Sequence, residues 1–102
     1  MEPKLVIYKN GKPLDNLFST EDFVFVGETR KITLTLRNEG AAEALGIKIV
    51  PSEKWINILN TPSKLKVGES AVFTVEAEVP VNLQYSPKIT FTISYNYLLS
   101  PR

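Results

Sequence analysis

The sequence contains no cysteine and no histidine. Without cysteine, the fold cannot rely on disulfides and no thiolate is available to bind a metal. Without histidine, the chain lacks the side chain that most often acts as a general base at neutral pH and most often ligates zinc. A Ser-His-Asp triad is excluded for the same reason. We therefore predict a protein that is not an enzyme and that uses no metal and no cofactor.

Long apolar runs and an excess of one charge are also missing. No stretch approaches the roughly 20 apolar residues of a membrane-spanning helix. We also expect no signal peptide at the N-terminus, because the first apolar run is short and no small-residue cleavage site follows it. Twelve basic residues nearly balance eleven acidic ones, for a net charge of +1, whereas nucleic-acid binding calls for a concentrated basic face. We expect a protein partner or self-assembly through edge strands, with no nucleic acid and no membrane insertion. Two locations stay open, a virion or, for a piece of a longer secreted chain, the extracellular space.

The size and composition are those of one soluble globular domain. The 102 residues are 43% hydrophobic and 23% charged, close to the averages for such domains. A second hydrophobic core would not fit in a chain of this length. We therefore predict a single domain over residues 1–102.

Alternation of apolar and polar side chains dominates three segments, 30–37, 71–79 and 89–97. Because successive side chains of a strand point to opposite faces, each segment is predicted to be a strand with one buried and one solvated face. Glycine, proline and asparagine separate these and other short apolar runs. Strands are predicted at 4–8, 23–26, 30–37, 45–50, 55–59, 64–67, 70–79 and 88–98. Seven to eight short antiparallel strands predict an all-β, immunoglobulin-like sandwich, and only 40–45 offers a helical turn.

Two similar corners precede long strands, Gly27-Glu28 before 30–37 and Gly68-Glu69 before 70–79. Glycine suits a corner that requires a positive φ, and the polar residue beside it keeps the corner solvated. Phosphate binding would need a following helix whose N-terminus faces the anion. No such helix is predicted, so both pairs are interpreted as structural corners.

The same corners belong to a longer series of motifs. They are Val26-Gly27-Glu28, Asn38-Glu39-Gly40, Ala44 to Ile49, Trp55, Val67-Gly68-Glu69-Ser70 and Val79-Pro80. In this order the motifs resemble the NEW3, CARDB and ASPM/SPD-2/Hydin group of Ig-like domains. The resemblance covers roughly residues 23–95 and leaves an N-terminal extension, 1–22, outside it. It implies an Ig-like fold and an accessory role in adhesion, spacing or protein binding. Related Ig-like domains also decorate the heads and tails of tailed bacteriophages.

Three functions follow as hypotheses. The leading one is a structural or protein-binding module that serves as a virion accessory protein, either capsid decoration or a tail component. The alternative is a spacer or adhesion domain from a secreted or cell-surface multidomain protein. A remote alternative is a carbohydrate-active module, because Glu76 and Glu78 share a strand face about 7 Å apart. The competing interpretation places both carboxylates in solvent, and places Trp55 in the core rather than on a sugar-binding surface.

The first and last strands are the candidate binding edges. An exposed apolar edge strand invites pairing with another chain, so strand addition by a partner is predicted there. The other interpretation is that both strands pair within the sandwich and that the final leucines pack on its rim. The candidate residues are Leu5, Ile7 and Tyr8 at the start of the chain and Tyr95, Tyr97, Leu98 and Leu99 at its end.

Overall fold

The computed structural model describes residues 1–14, 17–19, 29–82 and 88–99, with backbone alone for 17–19. The predicted strand at 23–26 and the corner Gly27-Glu28 lie outside these residues. The described residues form strands and no helix, so they contain no helix that could cross a membrane. The strands are β1 (Leu5–Lys9), β2 (Lys12–Pro13), β3 (Leu17–Ser19), β4 (Thr29–Asn38), β5 (Ala44–Pro51), β6 (Ile56–Leu59), β7 (Lys64–Leu65), β8 (Ser70–Glu78) and β9 (Lys88–Asn96).

The strands form two antiparallel sheets that face each other. One has the order β2-β1-β4-β8-β6 and the other the order β3-β9-β5-β7. The longest ladder joins β4 to β8, from the Thr29–Glu78 pair to the Arg37–Ser70 pair. This arrangement confirms the predicted all-β, immunoglobulin-like sandwich.

The hydrophobic core lies between the two sheets and follows the alternation in the sequence. Leu34 and Phe73 are directly opposite each other on β4 and β8, and their exposed fractions are 1% and 0%. Burying a side chain of this size contributes about 1.5–3 kcal/mol. The other fully buried apolar side chains of the described residues are Pro3, Ile7, Leu36, Ala44, Leu65, Val75, Ala77, Val79 and Ile89.

The first turn of the chain is built by Asn10-Gly11. Their φ values, 52° and 78°, both lie in the left-handed region, as the type I′ turn of a two-residue hairpin requires. The turn pairs Lys9 with Lys12. The sequence predicted the turn but not the two-residue strand β2 that follows it.

Asn38 is a buried polar side chain at the end of β4, with no exposed surface. Its Oδ1 accepts from the N–H groups of Lys4 (3.2 Å) and Gly40 (3.0 Å). Its Nδ2 donates to the carbonyls of Ala42 (2.8 Å) and Leu65 (3.0 Å). One side chain therefore ties the N-terminal segment, the loop after β4 and strand β7 together, and burial is offset by these bonds.

Residues 2–4 lie directly against the loop that follows β4. The N–H of Glu39 donates to the Lys4 carbonyl (2.7 Å), and that of Ala41 donates to the Glu2 carbonyl (2.8 Å). A Cβ on Gly40 would lie 2.5 Å from the Glu2 carbonyl oxygen. Only glycine permits this approach without displacing backbone.

The helical turn considered for 40–45 is not formed. The loop bends at 40–42 and β5 begins at Ala44. Contacts outside the segment hold this bent conformation, since the Ala41 N–H donates to the Glu2 carbonyl and the Ala42 carbonyl accepts from the Asn38 side chain.

Candidate protein-binding edge

Strand β9 is paired along one side and only partly along the other. It pairs with β5 from Phe91 to Asn96, and with β3 only from Lys88 to Thr90. Next to the end of β5, the Thr90 N–H donates to Ser52 Oγ (3.0 Å) and the Thr90 carbonyl accepts from the Ser52 N–H (2.9 Å). Backbone groups of successive strand residues face alternate sides, so those of Ile93 and Tyr95 face away from β5. No strand of the described residues lies opposite them there.

Strand β1, in the other sheet, has a similar short open edge. It pairs with β4 from Leu5 to Tyr8, and with β2 only at Tyr8 and Lys9. The Ile7 carbonyl accepts from the N–H of Leu14 (2.8 Å) on the β2 side. By the same alternation, the backbone groups of Leu5 face that side too. They lie beyond the end of β2, with no strand beside them in the part of the chain that the structure describes.

A cleft of about 630 Å³ lies between these two open edges, and we call it the β1–β9 cleft. The side chains of Leu5, Ile93 and Tyr95 are half-buried in it and pack against the core. The Tyr95 hydroxyl donates to the carbonyl of Pro3 across the cleft, at 3.3 Å. The lining residues are Glu2, Pro3, Lys4, Leu5, Phe91, Ile93 and Tyr95.

The residues after β9 leave the sandwich beside this cleft. Their start is close to it, because the Tyr97 ring lies 6.3 Å from that of Tyr95, which lines the cleft. Leu98 and Leu99 are 78% and 80% exposed. The interpretation that these leucines pack on the rim is therefore wrong, because they lie beyond the last paired residue, Asn96.

Two residues from the predicted N-terminal edge have other positions. The side chain of Ile7 is fully buried in the core rather than available at an edge, because it points between the sheets. Tyr8 points to the opposite face of the sheet, as the next residue in a strand must. Of the three N-terminal candidates, Leu5 is the one that lines the cleft between the sheets.

The Tyr8 hydroxyl donates to the carboxylate of Glu39 on the outer face of the sheet. This hydrogen bond is the main cause that raises the pKa of Tyr8, and partial burial and the charge of Glu39 act in the same direction. The charge of Arg37, whose Nε lies 3.9 Å from the same carboxylate, opposes them. The hydrogen bond between Tyr8 and Glu39 joins the exposed side of β1 to the loop after β4.

Gly68 and Glu69 build the corner before β8. Gly68 has a φ of 80°, in the left-handed region, and its N–H donates to the carbonyl of Asn38 at 2.8 Å. The Glu69 carboxylate accepts from the N–H of Lys66 at 2.8 Å. These contacts are all within the fold, and the corner is remote in sequence from both edges of the cleft.

Trp55, Glu76 and Glu78 meet at a second, smaller depression of about 180 Å³, which Thr29 and Asn57 complete. Trp55 is half-buried and packs partly on the core. Glu76 lies 3.7 Å from Lys31 Nζ. The pairing of β6 with β8 brings the tryptophan to the carboxylates, which spacing in the sequence did not indicate. Within the described ranges, no group of three or more carboxylates is placed to hold a metal ion.

Comparison with protein-family models, with curated proteins and with solved structures finds no match for this chain. The resemblance to the NEW3, CARDB and ASPM/SPD-2/Hydin group therefore stays a prediction, carried by the motifs quoted above. Function is inferred from the geometry of the edges and the cleft.

Proposed function

We propose that this chain is a non-enzymatic, structural or protein-binding Ig-like module whose binding site is the β1–β9 cleft. The observation that carries the proposal is the backbone edge at Ile93 and Tyr95, which no strand of the described residues pairs, beside a cleft lined in part by apolar side chains. Strand addition uses both features, since backbone hydrogen bonds supply affinity and pockets for alternate side chains supply specificity.

An added strand has well-defined contacts here. Its backbone would bond the outward-facing groups of Ile93 and Tyr95, and every second side chain would enter the cleft towards Leu5. Each backbone hydrogen bond contributes about 0.5–1.5 kcal/mol net. Each buried aliphatic side chain contributes about 1.5–3 kcal/mol. Both contributions act against the cost of immobilising and ordering the added strand, so affinity should increase with the number of residues that pair.

The charges at the cleft favour a protein partner over a polyanion. Glu2 and Lys4 lie at its rim, one of each sign, and both are exposed. Opposite charges side by side produce no strong field, whereas nucleic acid is attracted to concentrated positive charge. The partner is then selected by its apolar pattern and its extended backbone.

The biological setting that we propose is a virion, where the chain serves as capsid decoration or as a tail component. The resemblance to Ig-like domains of bacteriophage heads and tails supports it. The alternative is a spacer or adhesion domain of a secreted or cell-surface protein. A coding gene flanked by capsid, portal and tail genes would support the first, and a longer reading frame with a signal peptide would support the second.

Selection from a library of displayed extended peptides, followed by amide hydrogen exchange, tests the binding site. We expect the selected peptides to slow exchange at Ile93 and Tyr95. Ile93→Lys places a charge inside the cleft and should abolish binding, whereas Thr92→Lys, on the solvated face of the same strand, should not. Peptides that bind equally to both variants, or protect another surface, would contradict the proposal.

Sugar binding is a second candidate, at the depression that Trp55 shares with Glu76 and Glu78. A tryptophan beside carboxylates is one observation in its favour, since aromatic rings stack on sugars and carboxylates accept from hydroxyls. Trp55 is the sole tryptophan, so its fluorescence reports directly on the depression. A fluorescence change with an oligosaccharide that Glu78→Gln removes would support the candidate, and an unchanged spectrum across a glycan panel would exclude it.

A further inference from the structure

We propose that residues 97–99 of a second copy of this chain occupy the β1–β9 cleft, and that two copies exchange these segments reciprocally. The inference rests on the proposed function, because it uses the same open edge of β9. It goes further by naming the occupant and its register. We call residues 97–99 the tail segment.

Exposure first points to the tail segment as the occupant. Leu98 and Leu99 are consecutive, apolar and 78% and 80% exposed, directly after the strand whose edge is open. An unpaired strand edge can pair with a strand of another chain, and exposed apolar residues mark surfaces that bind other proteins. Leu5 and Ile93 line part of the cleft and provide apolar surface against which such a side chain would be buried.

Alternation along β9 then fixes which residues meet. The backbone groups of Ile93 and Tyr95 face the open side, and the same alternation continued into an extended tail turns those of Tyr97 and Leu99 to that side. Antiparallel pairing centred on Asn96 of both copies places Tyr97 opposite Tyr95 and Leu99 opposite Ile93. Directly opposite residues project to the same face of a sheet. The Leu99 side chain of the second copy therefore enters the cleft.

This register is symmetric about a two-fold rotation axis that passes between the two Asn96 residues. Each copy gives its tail segment to the other, so the same contacts form twice and the assembly closes as a dimer. The tail starts at the mouth of the cleft of its own chain, as the 6.3 Å distance between the Tyr95 and Tyr97 rings shows. In the dimer, the cleft of each copy therefore lies next to the tail segment of the other. The net charge of +1 on each copy opposes their association only weakly.

Analytical ultracentrifugation of the full chain, over a wide range of concentration, tests the dimer. We expect a dimer that dissociates on dilution, and Leu99→Asp should weaken it by about tenfold or more, because a carboxylate would have to enter the cleft. Val81→Asp is the matched control, since Val81 is an 81% exposed apolar residue after β8. A monomer at all concentrations, or equal effects of the two substitutions, would overturn the inference.

Cysteine cross-linking tests the register, because the natural chain has no cysteine. Opposite residues of antiparallel strands lie within disulfide reach. Under oxidation, Ile93→Cys combined with Leu99→Cys should give a covalent dimer, and each single substitution should give much less. Efficient cross-linking of the Leu99→Cys variant alone would overturn the register.

The two proposals fail separately. If the chain is monomeric but selected peptides still protect Ile93 and Tyr95, the exchange is wrong and the proposed binding edge stands. If these amides are already protected from exchange in the monomeric Leu99→Asp variant, the edge is not open and both proposals fall.

Discussion

The hydroxyl of Tyr95 donates to the carbonyl of Pro3 and so joins strand β9 of one sheet to the segment that precedes β1 of the other. The two residues are 92 positions apart in the chain. Their contact crosses the cleft at the side of the sandwich where the backbone groups of Leu5, Ile93 and Tyr95 face no strand of the described residues. It is a direct polar link between the sheets at the proposed binding site.

Removing this link should have a small, local effect. Tyr95→Phe keeps the ring and deletes the hydroxyl, so we expect a loss of about 0.5–1.5 kcal/mol in the free energy of unfolding. Urea denaturation measures it. Tyr97→Phe, the neighbouring ring, is the control and should cost less. Equal losses would show that the bond to Pro3 contributes nothing specific.

Asn38 should be far more sensitive to substitution than an exposed asparagine. Asn38→Ala would leave the two N–H groups and two carbonyls that it now bonds without these partners in a buried site. We expect a destabilisation of about 3 kcal/mol or more, measured by urea or thermal unfolding. Asn57→Ala, at an exposed position on β6, should change the free energy of unfolding by no more than about 0.5 kcal/mol. Comparable losses for both would refute the bridging role.

Gly40→Ala should displace the N-terminal segment rather than strain the loop alone. The new Cβ would overlap the backbone of residues 2–4, which cannot move aside without losing the bonds of Glu39 and Ala41. We expect a destabilisation of about 1–3 kcal/mol, with faster amide exchange at Lys4, whose N–H donates to Asn38 Oδ1. Gly11→Ala is the control, because its φ of 78° is unfavourable for alanine but no atom lies within 4 Å. It should leave exchange at Lys4 unchanged.

The ionisation of Tyr8 should depend on Glu39. The hydrogen bond to the carboxylate raises the pKa of Tyr8 above its ordinary value, with smaller contributions from burial and from the charge of Glu39. A pKa that is higher in the folded chain means that this contribution to stability is complete below about pH 10 and is lost as the pH rises through the folded pKa. Tyrosinate absorbance should show a late-ionising group that is absent in Tyr8→Phe. Glu39→Gln should lower that pKa, and an unchanged titration would contradict the assignment.

The sequence predicted the long strands because their faces follow from a two-residue period. Segments 30–37, 70–79 and 88–98 correspond closely to β4, β8 and β9. Strand β7 lies within the predicted strand at 64–67. Strands β2 and β3 have only two and three residues, too few to show a period, and they form through pairing with β1 and β9.

The site was predicted less completely because it depends on contacts between distant parts of the chain. The sequence identified Leu5 and Tyr95 as edge residues, but not the cleft between them. Burial of Ile7 follows from its inward position within the sandwich, and burial of Asn38 from partners 34 positions before it and 27 after it. Sequence spacing alone indicates none of these.

The bond between Pro3 and Tyr95 also places both ends of the described chain on one side of the molecule. An affinity tag or a fusion partner attached at either end would therefore lie at the mouth of the cleft and compete with whatever binds there. The Asn10-Gly11 turn is a better site for insertion, because it is exposed and open space surrounds Gly11. Binding measured with tagged protein should be compared with binding after the tag has been cleaved.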